Sequence, residues 1–162
     1  MTVETAPASP GPQAIPMARP LEGLRAGQGW TVPVQYNLER RTAFLHTPIG
    51  LGPVTGDLMV LADEPERWLM VIVRYPVLVP RRRRSKACAL FNRITEQDPT
   101  WRLTVDMETG EIAAAVTADY RGCADPGDRL ASLWVSSLVS LFEEWAGELQ
   151  SLTAPSATRR RT

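Results

Sequence analysis

Apolar residues recur at every second position on both sides of one short turn in the C-terminal half of this chain. Trp101, Leu103 and Val105 share one side of the first segment, and Ile112, Ala114 and Val116 share one side of the second. A period of two belongs to the extended strand, so residues 101–106 and 111–118 read as the arms of a β-hairpin. Gly110 falls in the connecting residues 107–110, where a left-handed backbone suits a residue without Cβ. A two-stranded ribbon with one apolar face is marginal alone in water. The segment that follows supplies a cover. Leu130, Leu133, Trp134, Leu138, Leu141, Phe142, Trp145 and Leu149 recur at steps of three and four, the spacing of one helix face. Asp125 stands as its N-cap, Pro126 at the first helical position and Asp128 near the positive end of the dipole. Burying each large side chain contributes ~1.5–3 kcal/mol, which ordering the helix largely offsets. Hairpin and helix therefore need each other, and an α+β domain follows.

The rest of the chain adds strands and a middle helix. Residues 20–28 read as a short helix carrying Leu21 and Leu24. Residues 30–38 alternate loosely as a strand, and Pro33 places it at an edge or breaks it. Residues 42–46 are a second strand. Residues 47–56 hold Pro48, Gly50, Gly52, Pro53 and Gly56, and read as a loop. Residues 57–62 and 68–79 are strands on either side of a turn at 63–66, and Pro76 edges or bends the second. Residues 81–96 read as a helix with Ala87, Leu90, Phe91 and Ile94 inward, ended by Pro99. The expected fold is an antiparallel sheet of about five strands packed by two to three helices. Residues 1–19 and 151–162 are rich in Pro, Ala, Ser and Thr without periodicity, and read as disordered tails around a single domain at 20–150.

Charge and cysteine usage narrow the function classes. Lys plus Arg and Asp plus Glu number 18 each, so the formal net charge is zero. That balance gives no global attraction to nucleic acid or anionic lipid. No apolar run approaches the ~20 residues of a membrane span. Cys88 and Cys123 read as free thiols of a reducing cytoplasm. With His46 as the single histidine they match no zinc spacing. Asp63, Glu64 and Glu66 fall in a turn, and Glu143 and Glu144 on a helix surface. No catalytic, metal or cofactor site is expected. The conspicuous local feature is Arg81, Arg82, Arg83 and Arg84 with Lys86, placed near a helix N-terminus that disfavours cations. Two readings apply: a solvated face paired with acids, or contact with nucleic-acid phosphates. The charge balance argues for the first. Trp30 and Trp68 stand at strand starts, where partly exposed aromatics anchor interfaces. Val135 and Val139 widen the apolar arc of the last helix. These four are the candidate partner-binding residues, for a second copy or a client.

The element order resembles the YbjN-like bacterial family, which has the fold of type III secretion chaperones. Ala87-Cys88-Ala89-Leu90-Phe91-Asn92 is similar to that family's Ala/Leu-rich helix with an Asn near its end. Trp101-Arg102-Leu103-Thr104-Val105-Asp106, followed by Thr109-Gly110-Glu111-Ile112, is similar to its hairpin. The pattern runs over residues 30–150. The resemblance implies a homodimeric, non-enzymatic module of a bacterial cytoplasm that binds segments of another protein, is linked to stress responses and needs no cofactor.

Overall fold

The computed structural model describes residues 18–119, 121 and 130–153. The elements are α1 (Arg19–Gly27), β1 (Gln35–Asn37), β2 (Thr42–Leu51), β3 (Val54–Asp63), β4 (Trp68–Tyr75), α2 (Arg84–Gln97), β5 (Arg102–Val105), β6 (Ile112–Asp119), α3 (Leu130–Glu144) and α4 (Ala146–Thr153). A 3-10 turn at Arg81–Arg83 leads into α2. The strands form one sheet in the order β1-β2-β3-β4-β6-β5, antiparallel at every pairing. The expected α+β class holds, with six strands and four helices among the described residues.

Alternation decides what the sheet buries. Leu45, Val60, Val71 and Val116 lie side by side across four strands, and Leu58, Val73, Ala114 and Leu103 form the next row. All eight are buried. A slip of one residue would turn either row to the opposite face, so burial fixes the register. Leu21 and Leu24 of α1, Ala87, Leu90, Phe91 and Ile94 of α2, Val135, Leu138, Leu141 and Phe142 of α3, and Leu149 and Leu152 of α4 join the same core. Phe142 stacks on Tyr75 of β4 with ring centroids 5.5 Å apart, an offset aromatic geometry.

Residues 47–56 are not a loop. β2 runs through Pro48 and Gly50, β3 starts at Val54, and the turn is confined to Gly52 and Pro53. β1 pairs only with Thr42, Ala43 and Phe44. Pro48 therefore sits where β2 has no outer neighbour, the place in a sheet that tolerates proline. Gly56 serves packing, since a Cβ there would lie 2.5 Å from both the Arg74 carbonyl oxygen and Leu51 Cδ1. Three further elements are shorter than the sequence implies. β1 begins after Pro33, β4 stops before Pro76, and α3 breaks at Trp145 before α4. Leu133 is 64% exposed, because α3 turns Val135, Leu138, Leu141 and Phe142 to the sheet instead. The cap at Asp125, Pro126 and Asp128 lies outside the described residues, as does most of each expected tail.

The hairpin matches its expectation. Gly110 has φ +85°, and its carbonyl accepts the Val79 N–H at 2.8 Å. A Cβ at Gly110 would sit 2.3 Å from the Val79 carbonyl oxygen. Gly110→Ala is expected to lower unfolding stability by about 1–3 kcal/mol. Gly147→Ala in α4, where a Cβ meets nothing within 4 Å, is expected to leave stability unchanged or raise it by up to ~1 kcal/mol. Urea denaturation of the two variants checks the order; its reversal contradicts this packing.

Candidate partner-binding groove

The short β1 leaves most of the outer edge of β2 uncovered. From residue 45 to residue 51, β2 has β3 on one side and, among the described residues, no strand on the other. Beside this edge lies a groove of about 420 Å³, lined by Gln28, Trp30, Pro48, Ile49, Gly50, Val135, Ser136 and Val139. One wall is the β2 edge, the second is α3, and the third is the chain leaving α1.

Local hydrogen bonds place that third wall. The end of α1 closes with Gln28 N–H donating to the Leu24 carbonyl and Trp30 N–H to the Arg25 carbonyl, both at 3.0 Å. Gly29 between them has φ +66°, a helix-ending conformation that favours glycine. The helix itself is tied to the sheet edge: the Tyr36 phenol of β1 donates to Glu22 of α1, and Glu22 also accepts from Arg25 Nε at 3.0 Å. Burial, then the hydrogen bond to Glu22, push the Tyr36 phenol up to about 12.

Three of the four candidate partner-binding residues meet here. Trp30 and Val139 are half-buried, and Val135 is buried with its edge on the groove. Trp68 stands apart, at the start of β4 beside a separate hollow of about 300 Å³. Pro48, Ile49 and Gly50 complete the groove and are not legible as site residues in the sequence, because their Pro/Gly content reads as a loop. Only the strand order shows them as a free edge.

The basic run has partners that the sequence does not suggest. Arg83 Nη1 donates to the carbonyls of Ser151 at 2.6 Å and Leu152 at 3.3 Å, near the end of α4, where the helix dipole favours a cation. Arg84 donates to the carbonyls of Val79 at 3.1 Å, Met107 at 2.7 Å and Glu108 at 2.8 Å. Backbone carbonyls receive these hydrogen bonds, and the Arg84 charge also helps to hold the Asp106 carboxyl below its usual range, after the backbone N–H groups of Thr109 and Glu108. Arg81, Arg82 and Lys86 are exposed. Tyr75, the aromatic preceding the run, is buried, and the Arg93 guanidinium lies 5.7 Å from the Trp145 ring.

The remaining reactive groups do not converge. His46 is exposed in the middle of β2, with Nε2 3.6 Å from Asp57 Oδ1. Cys88 is half-exposed, and its sulfur lies 3.7 Å from that of Met107. Glu64, expected in an open turn, is buried and 3.2 Å from Arg67. Cys123 lies outside the described residues. Among the described residues, no group of three or more His, Cys, Asp or Glu side chains is placed to hold a metal ion, and no helix is long and apolar enough to cross a membrane.

No protein-family model matches the sequence, and no curated protein matches it. Solved structures match its fold. A chain of the ExsC–ExsE complex superposes with a TM-score of 0.56 at 14% identity, covering 85% of this chain and 94% of that one. YbjN from E. coli gives 0.55 at 11% identity over 83% and 95%. A chain of the HopA1–SchA chaperone–effector complex gives 0.48 at 12% over 84% and 99%. For the chain of the ExsC–ExsE complex and for YbjN the likeness, at these identities, is one of fold, and the fold is the one that the sequence resemblance implies.

Two outcomes follow from this geometry. Arg83→Ala and Arg84→Ala are each expected to lower stability by about 1–2 kcal/mol, while Arg81→Ala and Arg82→Ala stay within ~0.5 kcal/mol of the parent, read by chemical denaturation. Raising the pKa of Tyr36 above its unfolded value favours the folded state while the phenol stays protonated. That contribution is complete below pH ~10 and is lost as pH rises toward 12. Ultraviolet titration is expected to show one phenol ionising near pH 12, a transition that Tyr36→Phe removes.

Proposed function

We propose that this chain is a non-enzymatic protein-binding module, chaperone- or adaptor-like, that takes an extended segment of another protein along β2. The observation that carries the reading is the coincidence of a free strand edge with a groove of mixed lining, in which Trp30, Ile49, Val135 and Val139 stand beside the polar Gln28 and Ser136. The edge offers backbone hydrogen bonds to an extended chain on either side of Pro48, which contributes only its carbonyl, and alternate side chains of that chain can enter the groove. Trp30 and Val139 supply half-buried apolar surface of the kind that anchors interfaces. The fold shared with a chain of the ExsC–ExsE complex supports a protein partner. Self-association as a homodimer, a cytoplasmic site of action and a link to bacterial stress responses belong to the same proposal and rest on the resemblance.

Gly50 gives a clean test. A Cβ there meets nothing within 4 Å, so Gly50→Lys leaves the core intact while placing a charge on the edge, the device by which natural sheets block strand addition. Affinity purification from the native cell, with nuclease present, is expected to recover a specific protein with the parent chain. Gly50→Lys and Val139→Asp are expected to reduce its recovery at least tenfold while the parent's circular dichroism is retained. Equal recovery with folded variants, or recovery abolished by nuclease, contradicts the reading.

A further inference from the structure

The sheet has a second surface, on the side away from the helices. Phe44, Met59, Leu61, Trp68, Met70 and Ile72 alternate with the core residues of β2, β3 and β4, and each is half-buried. The register packs them together: Phe44 is opposite Leu61, Leu61 opposite Met70, and Met59 opposite Ile72. Among the described residues no element covers them. Contiguous apolar patches of this kind mark interaction sites.

The chemistry of the face selects its occupant. Between β2 and β6 the strand backbones already bond one another within the sheet plane, so the face offers no backbone partner. A bound segment must arrive with its own backbone satisfied, which leaves a helix or another sheet. Charged rows close the patch at both ends. Asp57 stands opposite Arg74 beyond Ile72, and Asp63 and Asp119 stand on either side of Trp68. A stacked sheet would bury these charges at a cost in desolvation. One helix, about 10–12 Å across, covers the apolar rows and leaves the charges wet. The hollow of about 300 Å³ at the Trp68 end has Trp68 and Met70 as its floor, with Glu66, Asp119 and Arg121 at its rim. Asp119 accepts from Arg121 Nε at 2.8 Å and Glu66 lies near the same guanidinium, so one cation stands against two carboxylates, the rim keeps one negative charge in surplus, and Asp63 lies across Trp68 from it. An apolar floor with an acidic rim suits the aliphatic stem and cationic head of a lysine or arginine.

We propose that this face docks an amphipathic helix of a partner protein, about three turns long, with a lysine or arginine seated over Trp68 between Glu66 and Asp119. This surface lies on the opposite side of the sheet from the buried core, and the inference goes beyond the β2 groove and stands without it.

The probe is a labelled 14-residue helical peptide with leucines at helix spacing on one face and one lysine at the edge of that face. It is titrated against the full chain by fluorescence anisotropy. Saturable binding is expected, together with a change in tryptophan emission. Met70→Asp is expected to weaken it at least tenfold. Thr117→Lys, an exposed substitution at the hollow that leaves the core untouched, is expected to weaken it severalfold even if Met70→Asp does not fold. A peptide with glutamate in place of the lysine is expected to bind severalfold more weakly. Gly50→Lys is expected to leave binding unchanged, which separates this face from the groove. Absence of saturable binding overturns the proposal, as does binding indifferent to Thr117→Lys. Sedimentation showing a dimer that Met70→Asp dissociates also overturns it, since a second copy then occupies the face.

Discussion

Alternation along β2, β3, β4 and β6, with burial on one side only, is the constraint on which the rest of this structure depends. Every second residue of β2, β3, β4 and β6 is committed to a core built with four helices. The intervening residues are left half-covered or exposed. Because register and face are coupled, the rows that hold the core together also determine which residues remain on the outer face. The two surfaces available for binding are by-products of this arrangement. One is the edge that a three-residue β1 fails to cover, and the other is the face that no described helix reaches.

The parts legible in the sequence are those where local pattern and tertiary burial agree. The hairpin around Gly110, the inward residues of α2 and the heptad-like spacing of α3 are examples. The parts that are not legible depend on topology. Pro48, Gly50 and Gly56 argue locally for a loop, yet they lie in strands. Pro48 is permitted by a missing neighbour, and Gly56 is required by the crowding of Leu51 and the Arg74 carbonyl. Leu133 fits the spacing of a buried stripe, but the stripe is wide enough for two orientations, and packing chose the one that buries Val135. Trp30, Val135 and Val139 were each visible as candidates. That they face one groove depends on how α3 crosses β2, which no local pattern records.

The basic run shows how a charge cluster can be structural. At an isolated helix N-terminus four arginines are unfavourable. In the fold, the third reaches carbonyls near the end of α4, and the fourth bridges the carbonyls of Val79, Met107 and Glu108. These charge-assisted bonds link α2 to the hairpin and to the C-terminal helix. The conflict between local propensity and observed structure is resolved by long-range contacts, so half of the run has a physical account that involves no ligand.

The central claim is that β2 carries a free edge beside a groove of mixed polar and apolar lining and that a partner's chain completes it. Amide hydrogen exchange across residues 45–51, measured on the full chain alone and again with its captured partner, tests this most directly. The account predicts rapid exchange of the outward amides of β2 in the free chain and marked slowing in the complex, with the interior strands β3 and β4 protected in both. Slow exchange along β2 in the free chain, or no slowing on binding, would contradict it.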